Sequence, residues 1–189
     1  TIPAAAWRWR VRTASHRIST ATAAPSASEN MLGLPVPRRS GMNPDAIAWT
    51  RHNALARAGA HDTPVGVVAG DMTDPGLLRE LDGRVDVVVS NPPYVPDGAV
   101  VPREVADHDP PLALWGGPDG LDVVRGMLGV AARLLRPGGW LGIEHADQQG
   151  TALPAVVRAH GGWVEVEDHL DLAGRPRFTT ARRGPGEDR

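Results

Sequence analysis

The sequence predicts an α/β fold with a mostly parallel sheet closed by an antiparallel hairpin, and three observations predict it. The β-branched run Val85 to Val89, interrupted by Asp86 alone, reads as a strand buried on both faces, the pattern of parallel sheets with helices above and below. Helix-like and strand-like stretches alternate from Asn43 to His160. Trp163 to Leu170 and Arg177 to Arg182 then flank a turn at Gly174, which is a hairpin pattern.

A chain of 189 residues suffices for one domain with a real core. Its net charge of −2 gives no global basic field to draw it onto nucleic acid or an anionic membrane. All 20 basic residues are arginine, and cysteine is absent, which excludes disulfides, thiolate zinc sites and a cysteine nucleophile. No apolar run approaches the ~20 residues of a membrane helix. A soluble, cytoplasmic protein with no membrane partner is expected.

Residues 1–40 differ from the rest: six arginines stand against one acid, Glu29, among eight alanines and many Ser/Thr. They read as an atypical, disordered leader, or as sequence from a misread gene start, ahead of a targeting peptide. Trp7 to Arg12 alternates, but alternation describes a strand with one wet face, not a buried central one. Residues 41–183 read as the folded domain and 184–189 as a disordered tail.

Asn43 caps a helix, Pro44 takes its first position, Asp45 favours its positive end and Gly59 supplies a stop. Pro64 to Ala69 is expected as a short strand; Asp71, just past it, reads on composition as a turn former. Leu77 to Leu81 is expected as a short helix. After Val89 the chain meets Asn91-Pro92-Pro93-Tyr94. Two consecutive prolines fix φ and lack donors, so the chain leaves the strand as a stiff extended lip. In open α/β sheets that edge is where ligands bind. The lip carries the Asn91 amide, the carbonyls of Asn91 and Pro92, and Tyr94, the only tyrosine. Such a set suits a planar substrate bearing an NH2 group.

Asp97 to Trp115 reads as a functional loop, and Trp115 as the tryptophan nearest the lip. A helix is expected from Asp119-Gly120 to about Leu135, broken by Pro137-Gly138-Gly139, then a strand from Trp140 to Glu144 and a helix from Thr151 to His160. Glu144-His145 with Asp147, and Asp107-His108-Asp109, lack an established ligand spacing, so no metal site is expected.

Asn91-Pro92-Pro93-Tyr94 after an apolar strand is the signature of S-adenosylmethionine-dependent amino-group methyltransferases. With Arg103 to Pro110, Gly116-Gly117, Asp119-Gly120-Leu121, Leu134 to Gly139, Glu144 to Gly150 and Gly174 to Phe178, the chain resembles the release factor glutamine methyltransferases from about Asn43 to Arg183. The resemblance implies a Rossmann-like class I methyltransferase fold and S-adenosyl-L-methionine as cofactor. It implies Asp71 near the adenine, with Met72 packed on its ring, and Asn91 at the donor. It implies Asn91, Pro92 and Tyr94 as catalytic residues, with Pro93 and Glu104 completing the substrate site. Glu104 reads equally as a solvated loop acid. Peptide release factors are the implied partner. The family's first strand and acidic Gly-rich loop have no counterpart here, nor does its small helical domain, so the chain is expected to be amino-terminally truncated.

Two other readings compete. The same lip would present acceptors to the NH2 of adenine or guanine, yet Asp97, Glu104, Asp107, Asp109, Asp119 and Asp122 make the flanking segments acidic, where a polymer binder needs basic ones. An inactive fragment that keeps only a partner-binding surface is the third. An open parallel edge on Val85–Val89 also predicts self-association.

Overall fold

The computed structural model describes residues 44–61 and 66–185. The expected leader lies outside them, as do residues 186–189 of the expected tail. The described residues fall into two compact units, divided after Asp71.

The first holds α1 (Pro44–His61) and the segment after it. Thr50 Oγ1 donates to the Ala46 carbonyl at 2.8 Å, and Ala54 is buried. The helix runs past Gly59, the expected stop, because one glycine inside a helix costs only about 1 kcal/mol. Gly66 to Gly70 forms no strand, against expectation. Val67 and Ala69 are buried, but apolar alternation does not make a strand without a neighbour to pair its backbone.

The second unit is a four-stranded sheet in the order β1-β2-β4-β3, with β1 Val85–Ser90, β2 Leu135–Glu144, β3 Trp163–Leu170 and β4 Pro176–Arg183. Among the described residues the sheet is mixed: β1 and β2 are parallel, and β4 is antiparallel to both β2 and β3. Leu77 to Leu81, expected as a helix, shrinks to turns and one 3-10 turn at Arg79–Leu81. The expected loop from Asp97 to Trp115 contains two short helices, α2 (Arg103–His108) and α3 (Pro111–Leu114). Pro102 and Pro110 stand at their starts, where a proline costs no helical hydrogen bond.

Helix α4 (Asp122–Leu134) buries Val124, Met127, Leu128, Val130, Ala131 and Leu134 on one stripe. Helix α5 (Ala152–His160) buries Leu153, Pro154 and Val157, and packs on α4, β3 and β4. Together they cover one sheet face, against Val85, Val88, Leu141, Ile143 and Ala181. The opposite face is more open: Val89, Trp140 and Phe178 are 45%, 43% and 39% exposed. The expectation that Val85–Val89 is buried on both faces therefore fails at Val89. Pro137-Gly138-Gly139 ends α4 but stays within β2, where pairing slips between Val85–Leu135 and Val87–Trp140. The bulge is fastened by Arg136 Nε donating to Asp86 Oδ1 at 2.6 Å. Gly184, placed from sequence in the tail, is buried and donates its N–H to the Gly162 carbonyl at 2.9 Å.

Candidate active site

The lip leaves the carboxyl end of β1 with its two prolines buried, Asn91 exposed and Tyr94 half-buried. Neither polar side chain is lost in the interior. The chain is then locked to residues 114–117 by a short backbone ladder. Val95 N–H donates to the Leu114 carbonyl, Gly116 N–H to Val95, and Asp97 N–H to Gly117, each at 2.9 Å. Val95 and Trp115 form a parallel bridge, so Trp115 does stand beside the lip. The contact is close because residue 116 is glycine: a Cβ there would come within 2.5 Å of the Pro93 carbonyl oxygen.

A further tie comes from Gln149, in the 3-10 turn after β2. Its Nε2 donates to the carbonyls of Tyr94 and Asp119, both at 3.1 Å. Its Oε1 accepts the Ala146 N–H at 3.1 Å. Gln149 appeared in the sequence only as one residue of a family-like run. A buried amide that bonds backbone carries no periodic signal, so nothing local marked it. The Asp119 turn is itself fixed: Arg125 Nη1 donates to the carboxylates of Asp119 and Asp122 at 2.9 Å. The hydrogen bond from Arg125 holds the Asp119 carboxyl down at about 2.

On the open sheet face, a hollow of about 620 Å3 is lined by Val89, Asn91, Trp140, Glu144, Arg177 and Phe178 among others. That volume is within the range of small-ligand sites. Its floor is apolar, and its polar lining comprises Ser90, Asn91, Glu144, Arg177 and Thr180. The Tyr94 phenol titrates above its ordinary value because it is partly buried, and Glu144 pushes it the same way while Arg177 opposes.

Glu144 and the next residue point to opposite sides, as strand geometry requires. Glu144 lines the hollow, and His145 is fully buried with Nε2 2.9 Å from Asp168 Oδ1. Among the described residues no cluster of three His, Asp or Glu is arranged to hold a metal ion, and no helix is long and apolar enough to cross a membrane.

The remaining sequence-predicted residues are spread out. Met72 is 7% exposed and sits in the hydrophobic core of the second unit. Asp71 is half-buried at the end of the first unit. Glu104 is exposed in the first turn of α2. The structure thus brings together Tyr94, Trp115, Gly116, Gly120 and Gln149 as one fastened corner, with Asn91 at its leading end.

The architecture is that of class I S-adenosylmethionine-dependent methyltransferases. It matches a solved structure described as a predicted O-methyltransferase from Agrobacterium tumefaciens with a TM-score of 0.51, over 77% of this chain and 61% of that one, at 18% identity. No protein-family model matches. The release factor glutamine methyltransferase of Mycobacterium tuberculosis H37Rv is 52% identical over 128 residues, which are 68% of this chain and 42% of that protein. Its counterpart from Mycolicibacterium smegmatis is 52% identical over 141 residues, 75% of this chain and 48% of that one. A 4-amino-L-phenylalanine/4-methylamino-L-phenylalanine methyltransferase from Streptomyces pristinaespiralis is 50% identical over 109 residues, 57% of this chain and 37% of that one. Within that class, the matched part of the chain is similar to the release factor glutamine methyltransferases, at half identity. The chain spans about half the length of the curated relatives it matches.

Proposed function

We propose that this chain carries the methyl-transfer site of a protein-glutamine N-methyltransferase. The acceptor is the side-chain amide nitrogen of the glutamine in the Gly-Gly-Gln motif of peptide chain release factors, a cytoplasmic substrate. The observation that carries the reading is the fastened lip, with Asn91 exposed at the end of β1 and Tyr94 half-open beside it, in a chain half identical to relatives of that name.

An amide nitrogen is a poor nucleophile because its lone pair is delocalised into the carbonyl. In this reading the side-chain oxygen of Asn91 and the main-chain oxygen of Pro92 each accept one N–H of the substrate NH2. That fixes the nitrogen and favours pyramidal character. Tyr94 packs over the planar amide and stabilises developing positive charge by a cation–π contact. Pro93 keeps the corner stiff, and Glu104 shapes the glutamine pocket. S-adenosylmethionine, when bound, supplies a methyl group activated by its positive sulfur. The acceptor nitrogen held by Asn91 and Pro92 would take that methyl in exchange for one amide proton, which would pass to water, and the donor would depart as the neutral thioether. The chain's work is orientation, worth on the order of 7 kcal/mol or more in the best cases.

The cofactor's fit is uneven. Asn91 opens onto a hollow of ligand size; Met72 is held in the core of the second unit, and a place for Asp71 or Met72 at the adenine is only what the resemblance implies. The apolar floor of that hollow offers few partners to the ribose and amino-acid ends. Calorimetry with S-adenosylmethionine tests this directly, and absence of binding identifies an inactive fragment.

The acceptor is tested with labelled cofactor against a release factor, DNA, RNA and 4-amino-L-phenylalanine. Transfer to the release factor glutamine is expected. The Streptomyces relative supports a second reading, an aromatic amine in place of the amide, and transfer to that substrate alone would establish it. Asn91→Ala should cut turnover on the order of 10²-fold, far more than it weakens cofactor binding. A variant with full turnover removes Asn91 from the mechanism.

A further inference from the structure

The chain has two glutamines, and they are neighbours in opposite surroundings: Gln148 is exposed and Gln149 is 6% exposed. A primary amide carries two donor hydrogens and a carbonyl acceptor, and burying them unpaired is costly. Gln149 satisfies both ends. Its carbonyl takes the N–H of Ala146, and its NH2 divides between the carbonyls of Tyr94 and Asp119. These partners lie on three separate stretches: the loop after β2, the lip, and the turn before α4. The approach depends on Gly120, where a Cβ would stand 2.6 Å from Nε2.

We propose that Gln149 is a positioning residue for methyl transfer. It holds the Tyr94 carbonyl against the Asp119–Gly120 turn and so fixes the direction in which Asn91, Pro92 and Tyr94 face the acceptor. The clamp stands on geometry alone; its role in turnover rests on the function proposed above. Gln149 touches no reacting atom in this scheme. The backbone ladder holds the lip from Val95 onward, and Gln149 adds the tie at Tyr94 itself, between that ladder and the prolines.

The clamp is read in the unaltered protein by labelling glutamine side-chain amides with 15N and measuring solvent exchange. Gln148 serves as the internal control. Its NH2 should exchange at the rate of a free amide, and that of Gln149 on the order of tenfold or more slowly. Equal rates would overturn the clamp.

The positioning role is read with Gln149→Glu, which keeps shape and an acceptor but turns carboxylate oxygens toward two carbonyls. Gln149→Met keeps the length and drops both donors, should the carboxylate unfold the loop. Either folded variant should shift or broaden the ring resonance of Tyr94, which tyrosine labelling isolates because no other tyrosine is present. An unchanged Tyr94 signal in a folded variant would refute positioning.

In a chain that transfers methyl, kcat should fall on the order of 10²-fold with cofactor affinity unchanged. Unchanged kcat alongside a moved Tyr94 signal would reject the catalytic role and leave the clamp. Failure of the function itself shows separately, as a parent protein that methylates no release factor while its Gln149 amide is still protected.

Discussion

Replacing Gly120 and, separately, Gly174 with alanine compares one substitution at nearly one backbone angle in two environments. Gly120 has φ +75° and Gly174 φ +77°, so both variants force alanine into the left-handed region. That alone costs about 1–2 kcal/mol, and at Gly174, where an added Cβ meets nothing within 4 Å, it is the whole effect. At Gly120 the same Cβ collides with the Tyr94 carbonyl oxygen, which is main chain and cannot rotate away, and with Nε2 of Gln149. Relief requires the lip to move off the turn, which leaves buried polar groups of Gln149 and its partners unpaired at about 1–3 kcal/mol each. Gly120→Ala should therefore lose about 2–4 kcal/mol more than Gly174→Ala. With a urea slope of about 2 kcal/mol/M, the excess is a shift of about 1–2 M in the unfolding midpoint followed by circular dichroism. Equal midpoints for the two variants would mean that the lip is not packed on the Asp119–Gly120 turn.

Two other outcomes are expected. Tyr94 is the only tyrosine, so phenolate absorbance followed against pH reports it alone, and its midpoint should lie above 10. Because the folded value is raised, the stability it contributes is complete below pH 10 and is lost as pH rises through the folded value. A midpoint at or below 10 would mean that burial and Glu144 do not outweigh Arg177 at the phenol. Leu128→Ala in the core of the second unit should cost about 2–5 kcal/mol, and Leu172→Ala, fully exposed, less than about 0.5. Similar melts for the two would contradict the packing of α4.

The parts legible in the sequence are those whose signal is local. The apolar stripe of α4, the span of α5 and the hairpin of β3 and β4 follow from periodicity and glycine breaks, and the corner at Asn91 follows from its two prolines. What was missed depends on neighbours. Val67 and Ala69 alternate like strand residues but form no ladder. Val89 belongs to a run that reads as buried on both sides, yet only α4 and α5 determine which side is covered, and Val89 faces away from them. The helices at Arg103–His108 and Pro111–Leu114 are too short to show a period. Gln149 was hidden because its partners are carbonyls, which every residue possesses. Its position next to an exposed twin gave no hint of which amide turns inward.

The strand order has a consequence for how the chain assembles. β3 pairs with β4 and not with β2, the strand made before it. During synthesis β3 has α5 to pack on but no strand partner until residues 176–183 emerge and enter between two strands already made. Closing the sheet is therefore a late event, before which half-made chains are most open to misassociation.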